Sequence, residues 1–180
     1  MSRIGEMPIK IPDGVEVKIV HQDVNVKGPK GSLTCVTHSD IKVKDIDGEL
    51  IFDRPSDDKV HKSLHGSTRS MVNNMILGVV DGFSKKLEIV GVGYRAEQTG
   101  KHLTLHVMYS HPVKFDAPDG IDLKLEGNVV AVSGIDKQLV GHTAAQIRKV
   151  RPPNAYTGKG IRYRGEQIKV KPGKSARSIV

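Results

Sequence analysis

Two glycine-rich runs have spacings that suit phosphate chemistry. Gly91-Val92-Gly93-Tyr94-Arg95-Ala96 follows an apolar strand pattern and superficially fits the fingerprint that holds a dinucleotide. That fingerprint needs a helix next, whose N-terminus meets the pyrophosphate. Here Gly100-Lys101 and the alternating Leu103-Thr104-Leu105-His106-Val107 follow, which is hairpin grammar. The cofactor reading is rejected in favour of a glycine-rich bend that lets the backbone approach another surface. Gly173-Lys174-Ser175 resembles the end of a phosphate-binding P-loop, but Ile168 stands where the earlier glycine is required. No cofactor is expected.

His61 and His65 fall at i, i+4 on a helical pattern, and His102 and His106 share a strand face. Neither pair has a third ligand nearby, so surface or packing roles are expected rather than zinc. Cys35 is the only cysteine, which excludes an internal disulfide and points to a reducing compartment. It sits in a β-like run and reads as a small core residue rather than a nucleophile. Asp57-Asp58 stand at a helix start, where capping and the helix dipole account for them.

The richest chemistry is cationic. Residues 1–82 carry 11 Lys+Arg against 12 Asp+Glu, and residues 83–147 carry 7 against 7. Residues 148–180 carry 10 against the single acid Glu166, net +9, so the excess of the whole chain (+8) lies in its last fifth. Clustered Lys and Arg favour a polyanion, because cations that neutralise phosphates release condensed counterions. A solvated basic tail is the plainer reading. Against it, Tyr156, Tyr163, Ile161, Ile168 and four glycines are interleaved with the charges, which suits a nucleic-acid surface. Gly158 and Gly160 flank Lys159, so this loop can lie flat against a backbone. Tyr156 and Tyr163 suit two roles equally, stacking on bases or packing on the preceding helix.

The elements that must position these groups read as two α+β domains. Residues 15–19, 24–27, 32–36, 41–44 and 49–52 alternate as strands, with Gly28-Pro29-Lys30-Gly31 and Asp47-Gly48 as turns. Val60, Leu64, Met71, Met75 and Val79 then recur with helical spacing, and Ser56-Asp57 offer an N-cap. The spacing predicts a helix over about 57–80, ending near Gly82. Residues 87–90, 102–109, 121–125 and 129–132 read as strands, with Tyr94 to Thr99 between the first two, and Asp136 caps a second helix that Pro152-Pro153 stop. Ile41, Val43, Gly48 and Leu50 overlay on Ile121, Leu123, Gly127 and Val129 if one residue is deleted in the turn. Asp57, Val60 and Arg69 then fall on Asp136, Leu139 and Arg148. This internal duplication predicts a first domain over 1–82 and a second over 83–180. Each should be an antiparallel sheet packed on one helix, with a basic loop and tail from about 152. No run approaches the roughly 20 apolar residues of a membrane span, the first residues lack the apolar core of a signal peptide, and no membrane partner is expected.

The chain resembles the bacterial-type ribosomal large-subunit protein six family along essentially its whole length. The resemblance rests on Ser2-Arg3-Ile4-Gly5 with Pro8-Ile9, on residues 91–96, on Tyr109-Ser110-His111-Pro112-Val113, on Gly134-Ile135-Asp136-Lys137-Gln138, and on residues 156–163. It implies a cytoplasmic, ribosomal protein with two similar α+β domains. It further implies binding to 23S rRNA near the base of the flexible stalk, beside the sarcin–ricin loop and neighbouring large-subunit proteins, with no small-molecule substrate. Carried onto this chain, the rRNA contacts centre on the second domain and the tail. They comprise Lys137, Arg148, Lys149 and Arg151 on the second helix and Tyr156, Lys159, Gly160, Arg162, Tyr163 and Arg164 in the block that follows. Lys169, Lys171, Lys174 and Arg177 extend the set into the tail, and Tyr94, Arg95 and His111 join it from the second domain's other motifs. Lys30 and Arg69 are the local groups through which the nearly neutral first domain could act. The family commonly has Glu-Pro where Asn154-Ala155 stand, so a looser entry to the Lys159 loop is expected. The rivals are an RNA-acting enzyme, whose phosphate cradles and nucleophiles fail above on context, and a free-standing RNA chaperone.

Overall fold

Two α-helices and thirteen short strands are formed among the described residues. The computed structural model describes residues 4–46 and 48–174. Its chain divides into one compact unit of Met1–Phe83 with Ile135–Lys137 and another of Ser84–Gly134 with Gln138–Val180. No helix among the described residues is long and apolar enough to cross a membrane.

The first unit runs β1 (Ile9–Lys10), β2 (Glu16–Val20), β3 (Asp23–Gly28), β4 (Gly31–Val36), β5 (Lys42–Ile46), β6 (Glu49–Asp53) and α1 (Lys59–Val80). Instead of the single sheet expected, it holds two antiparallel three-stranded sheets, ordered β1-β6-β5 and β2-β3-β4. Both sheets present alternate side chains inward. Val24 and Val26 of β3 meet Leu50 and Phe52 of β6 and Val72, Met75, Ile76 and Val79 of α1 in one core. Each such fully buried aliphatic side chain stabilises the fold by about 1.5–3 kcal/mol.

Helix α1 takes its cap one residue later than expected. The cap position is Asp58, and its side chain makes no cap hydrogen bond. Ser56 and Asp57 are engaged elsewhere: Ser56 Oγ donates to Asp58 Oδ2 at 2.9 Å, and Arg54 donates to Asp57 Oδ1 at 2.8 and 3.1 Å. The end matches expectation. Gly82, at φ 72°, lets the chain turn back so that its N–H reaches Leu77 O. His65 is a packing histidine, 2% exposed. Arg54 can only donate, so His65 Nδ1 accepts from Arg54 Nη1 at 3.0 Å and His65 Nε2–H donates to Phe52 O at 2.9 Å.

The second unit runs β7 (Phe83–Val90), β8 (Arg95–Thr99), β9 (His102–His106), β10 (Val113–Asp116), β11 (Ile121–Glu126), β12 (Val129–Gly134), α2 (Lys137–Val150) and β13 (Gly160–Tyr163). It too holds two sheets, ordered β10-β9-β8 and β11-β12-β7-β13. The strand expected over 102–109 stops at His106, because Met108 takes φ 60° and turns the chain. The core gathers Leu87, Ile89, Leu103, Leu105, Val130, Val132 and Ile161 with Val140, Ala144 and Ile147 of α2.

Duplication is visible in the equivalent hairpins. Ile46 pairs Glu49 in one and Glu126 pairs Val129 in the other, so both turns contain two residues. The hairpins therefore align without a deletion in the turn, and the shortening lies between strand and helix: α1 starts ten residues after Glu49, α2 eight after Val129. Gly48 is second in its turn and Gly127 first in its own, which makes an alignment on glycines slip by one.

Strand β13 corrects the sequence reading most. The segment after Pro153 was expected to lie outside the sheet-and-helix unit. Instead Ile161 pairs with Ile89 and Arg162 with Glu88, so the segment adds a fourth strand to a sheet, and Ile161 is fully buried.

Candidate nucleic-acid interface

The cations of the second unit fall into two chemical groups. Three arginines at and beyond the last turn of α2 are tied to carboxylates. Arg148 donates to Glu166 through Nε at 3.2 Å and Nη2 at 2.6 Å. Arg162 reaches Glu88 Oε2 at 3.3 Å and 3.4 Å, and Arg164 lies 3.9 Å from the same carboxylate. Arg162 sits on β13 and Glu88 opposite it on β7, so this pair is a cross-strand clamp. Glu166 also accepts the Tyr163 N–H at 3.0 Å. Its carboxyl is held below the ordinary carboxylate range by the Arg148 hydrogen bonds first and the Tyr163 backbone second.

The lysines are different. Lys149, Lys159, Lys169, Lys171 and Lys174 are exposed and have no carboxylate partner among the described residues. An ammonium in water with no competing carboxylate is the group best placed to release counterions on meeting a phosphate.

Arg151 belongs to neither group. Its guanidinium carbon lies 4.9 Å from the centre of the Tyr109 ring, and its Nε donates to Tyr94 Oη at 3.4 Å. Hydrogen bonding to the Tyr109 phenol first and the Tyr94 phenol second pushes the guanidinium above its ordinary value. Tyr109 is itself fixed by donating to Val150 O at 2.9 Å. Around these groups opens a groove of about 660 Å³, walled by Tyr94, Tyr109, Arg151, Tyr156, Lys159 and the backbone between the last three. No carboxylate among the described residues lines it.

The far wall of the groove is a tied loop. Asn154 N donates to Lys159 O at 2.9 Å, and Gly158 N donates to Asn154 O at 2.8 Å. The Asn154 carboxamide accepts Tyr156 N–H at 2.7 Å. Lys171 N donates to Ala155 O at 2.7 Å, which brings the tail onto the loop. Asn154 therefore fastens the entry that was expected to loosen without a proline at 155. Tyr156, held by its backbone, still leaves its ring 61% exposed. Tyr163 packs inward, with Arg148 at 5.6 Å and Lys85 at 5.9 Å from its ring centre. Of the two roles open to them, Tyr163 takes packing, while Tyr156 keeps an exposed side chain.

Gly160 is a structural glycine. It is buried at φ 146°, and a Cβ there would lie 2.7 Å from Pro152 O and from Pro153 Cα. Its neighbour's amide completes the closure, Ile161 N donating to Arg151 O at 2.8 Å. The backbone that Gly160 approaches is the chain's own.

The remaining expected residues scatter. Lys137 clusters with the first unit, its Nζ 3.1 Å from Asn74 Oδ1 and 5.5 Å from the Phe83 ring centre. Arg95 is exposed and paired with Glu97 at 3.2 Å, and His111 is exposed. Arg177 lies outside the described residues. In the first unit, Lys30 Nζ donates to Asp81 O at the end of α1, and Arg69 Nε donates to Met7 O at 3.2 Å. Both are used by the fold, Lys30 as the cation that satisfies a helix C-terminus. Tyr109 is a lining residue that the sequence does not single out as a site, because it reads as the end of a strand.

Comparison with known proteins agrees with this architecture. The family model described as "Ribosomal protein L6" matches residues 11–82 and 90–164, one segment for each duplicated half. The large ribosomal subunit protein uL6 of Carboxydothermus hydrogenoformans is 54% identical over 176 residues, 97% of each chain. Its counterpart in Persephonella marina is 51% identical over 97% of this chain and 98% of its own. That of Symbiobacterium thermophilum is 53% identical over 98% of this chain and all of its own.

Proposed function

Because the chain belongs to the ribosomal protein L6 family, we propose that it docks on 23S rRNA near the base of the stalk, beside the sarcin–ricin loop, through its second unit and basic segment. The chain is a structural constituent of the large ribosomal subunit in the cytoplasm, with rRNA and ribosomal proteins as its partners, and it is not an enzyme. The finer placement is supported by one observation above the others. Five exposed lysines without a carboxylate partner among the described residues fall within residues 149–174, a stretch whose single acid is Glu166, whereas residues 1–82 carry 11 Lys+Arg against 12 Asp+Glu and the first unit's Lys30 and Arg69 are spent on its own backbone.

In this reading binding is led by phosphate and shape contacts. Lys149, Lys159, Lys169, Lys171 and Lys174 supply charge, and Arg148 and Arg162 hold the surface that carries them. Hydroxyl-radical footprinting of 23S rRNA with and without the full chain tests the placement. Protection at the stalk base and sarcin–ricin region is expected. Protection confined to other rRNA regions contradicts it.

A further inference from the structure

We infer that the groove beside Arg151 takes one unpaired nucleotide of the bound RNA, with its phosphate on Arg151 and Lys159 and its base against the Tyr156 ring. The inference rests on the rRNA-binding reading above and adds to it a single-stranded element that duplex contacts do not require.

Charge comes first. Arg148 and Arg162 each have a carboxylate, but Arg151 donates to the Tyr94 phenol, lies over the Tyr109 ring and faces a recess lined by no acid among the described residues. A fixed, planar cation in such a recess calls for an anion, and guanidinium geometry matches phosphate oxygens. Lys159 lines the same recess.

Shape comes second. A recess of about 660 Å³ is within the range of sites that enclose one small organic group. Tyr156 is a large ring, 61% exposed, on a loop closed by hydrogen bonds from both ends. An exposed aromatic on a rigid loop is a stacking platform. Bases inside a duplex are already stacked and offer no face to such a ring, whereas an unpaired base does.

The tyrosines report on the groove directly. The chain has four tyrosines and no tryptophan, and Tyr94, Tyr109 and Tyr156 all line the recess. Intrinsic emission of the full chain is titrated with a single-stranded RNA pentamer, a blunt RNA duplex of the same sequence, and AMP. Quenching by the pentamer at concentrations where the duplex and AMP leave emission unchanged is expected. Tyr156→Leu should weaken pentamer binding by about tenfold or more, as loss of a base–aromatic stack does, with unaltered circular dichroism. Arg151→Lys, which keeps the charge but not the planar fork, should weaken it too. Equal quenching by duplex and single strand, an unaffected Tyr156→Leu, or AMP binding as tightly as the pentamer would each overturn the inference. Uptake of the wild-type chain into large subunits lacking it is measured alongside, through a high-salt wash. Uptake without pentamer discrimination sinks the groove and leaves the ribosomal reading standing. Failure of uptake sinks that reading itself.

Discussion

Glu166, the only acid among residues 148–180, holds Arg148 through both carboxylate oxygens, at 2.6 and 3.2 Å. The contact joins the last turn of α2 to the chain beyond β13, and Tyr163 lies against the same guanidinium. The most basic stretch thus uses its single acid to build a surface, not to reduce its charge. Glu166→Gln should lower stability at neutral pH by about 1 kcal/mol, the discounted worth of a bidentate pair that is about a third exposed. Urea unfolding at constant m measures it. An unchanged midpoint contradicts the structural role.

The same pair predicts a pH dependence. The folded pKa of Glu166 lies below its ordinary value because of Arg148 first and Tyr163 second. A depressed pKa stabilises the fold fully above the unfolded value, roughly 4.3 for a glutamate. That contribution is lost as pH falls through the folded value. Asp57, lowered chiefly by Arg54, acts in the same sense in the first unit. The stability gap between Glu166→Gln and its parent should therefore be constant near pH 7 and narrow below about pH 4. A gap that stays constant into acid contradicts the linkage.

Two glycines should respond in opposite directions. Gly160→Val places a Cβ 2.7 Å from backbone atoms of Pro152 and Pro153 and distorts β13, which carries the buried Ile161. A loss of about 3 kcal/mol or more is expected. Gly141, inside α2, has nothing within 4 Å of where a Cβ would stand. Gly141→Ala should stabilise by about 0.5–1 kcal/mol. Thermal melts of the two variants check both signs.

Cations of the two groups should differ in RNA binding. Lys159→Ala should reduce the steepness of log affinity against log salt by about one. Arg162→Ala should mainly destabilise the β7–β13 edge, because its charge is already shared with Glu88. Equal changes in salt slope for the two variants would contradict the division.

Alternation made most strands legible, and helical spacing made both helices legible, since each follows from which face must be buried. Three strands were not legible, for separate reasons. β1 has only two residues, too few to show a period. β10 follows Pro112 directly and has only four residues, in which Val113 and Phe115 are too few to establish a period. β13 lies in a run whose charges and glycines read as a loop, although Ile161 and Tyr163 face opposite neighbours across β7. The candidate site was legible as a segment but not as a surface. Sequence counts cations, whereas only the fold shows that Glu88 and Glu166 occupy the arginines while the lysines stay free of carboxylates. Lys30 and Arg69 could not be recognised as backbone ligands for the same reason.

The central claim is that the exposed lysines at and beyond the end of α2 carry the electrostatic part of rRNA binding. Filter binding of the full chain to a 23S rRNA fragment spanning the stalk base and sarcin–ricin loop, over a series of salt concentrations, tests it most directly. The comparison is with a variant in which Lys149, Lys159, Lys169, Lys171 and Lys174 are all alanine. The salt slope should fall in magnitude by roughly four to five, about one for each phosphate contact removed, with circular dichroism unchanged. A folded variant that keeps the wild-type slope would contradict the account.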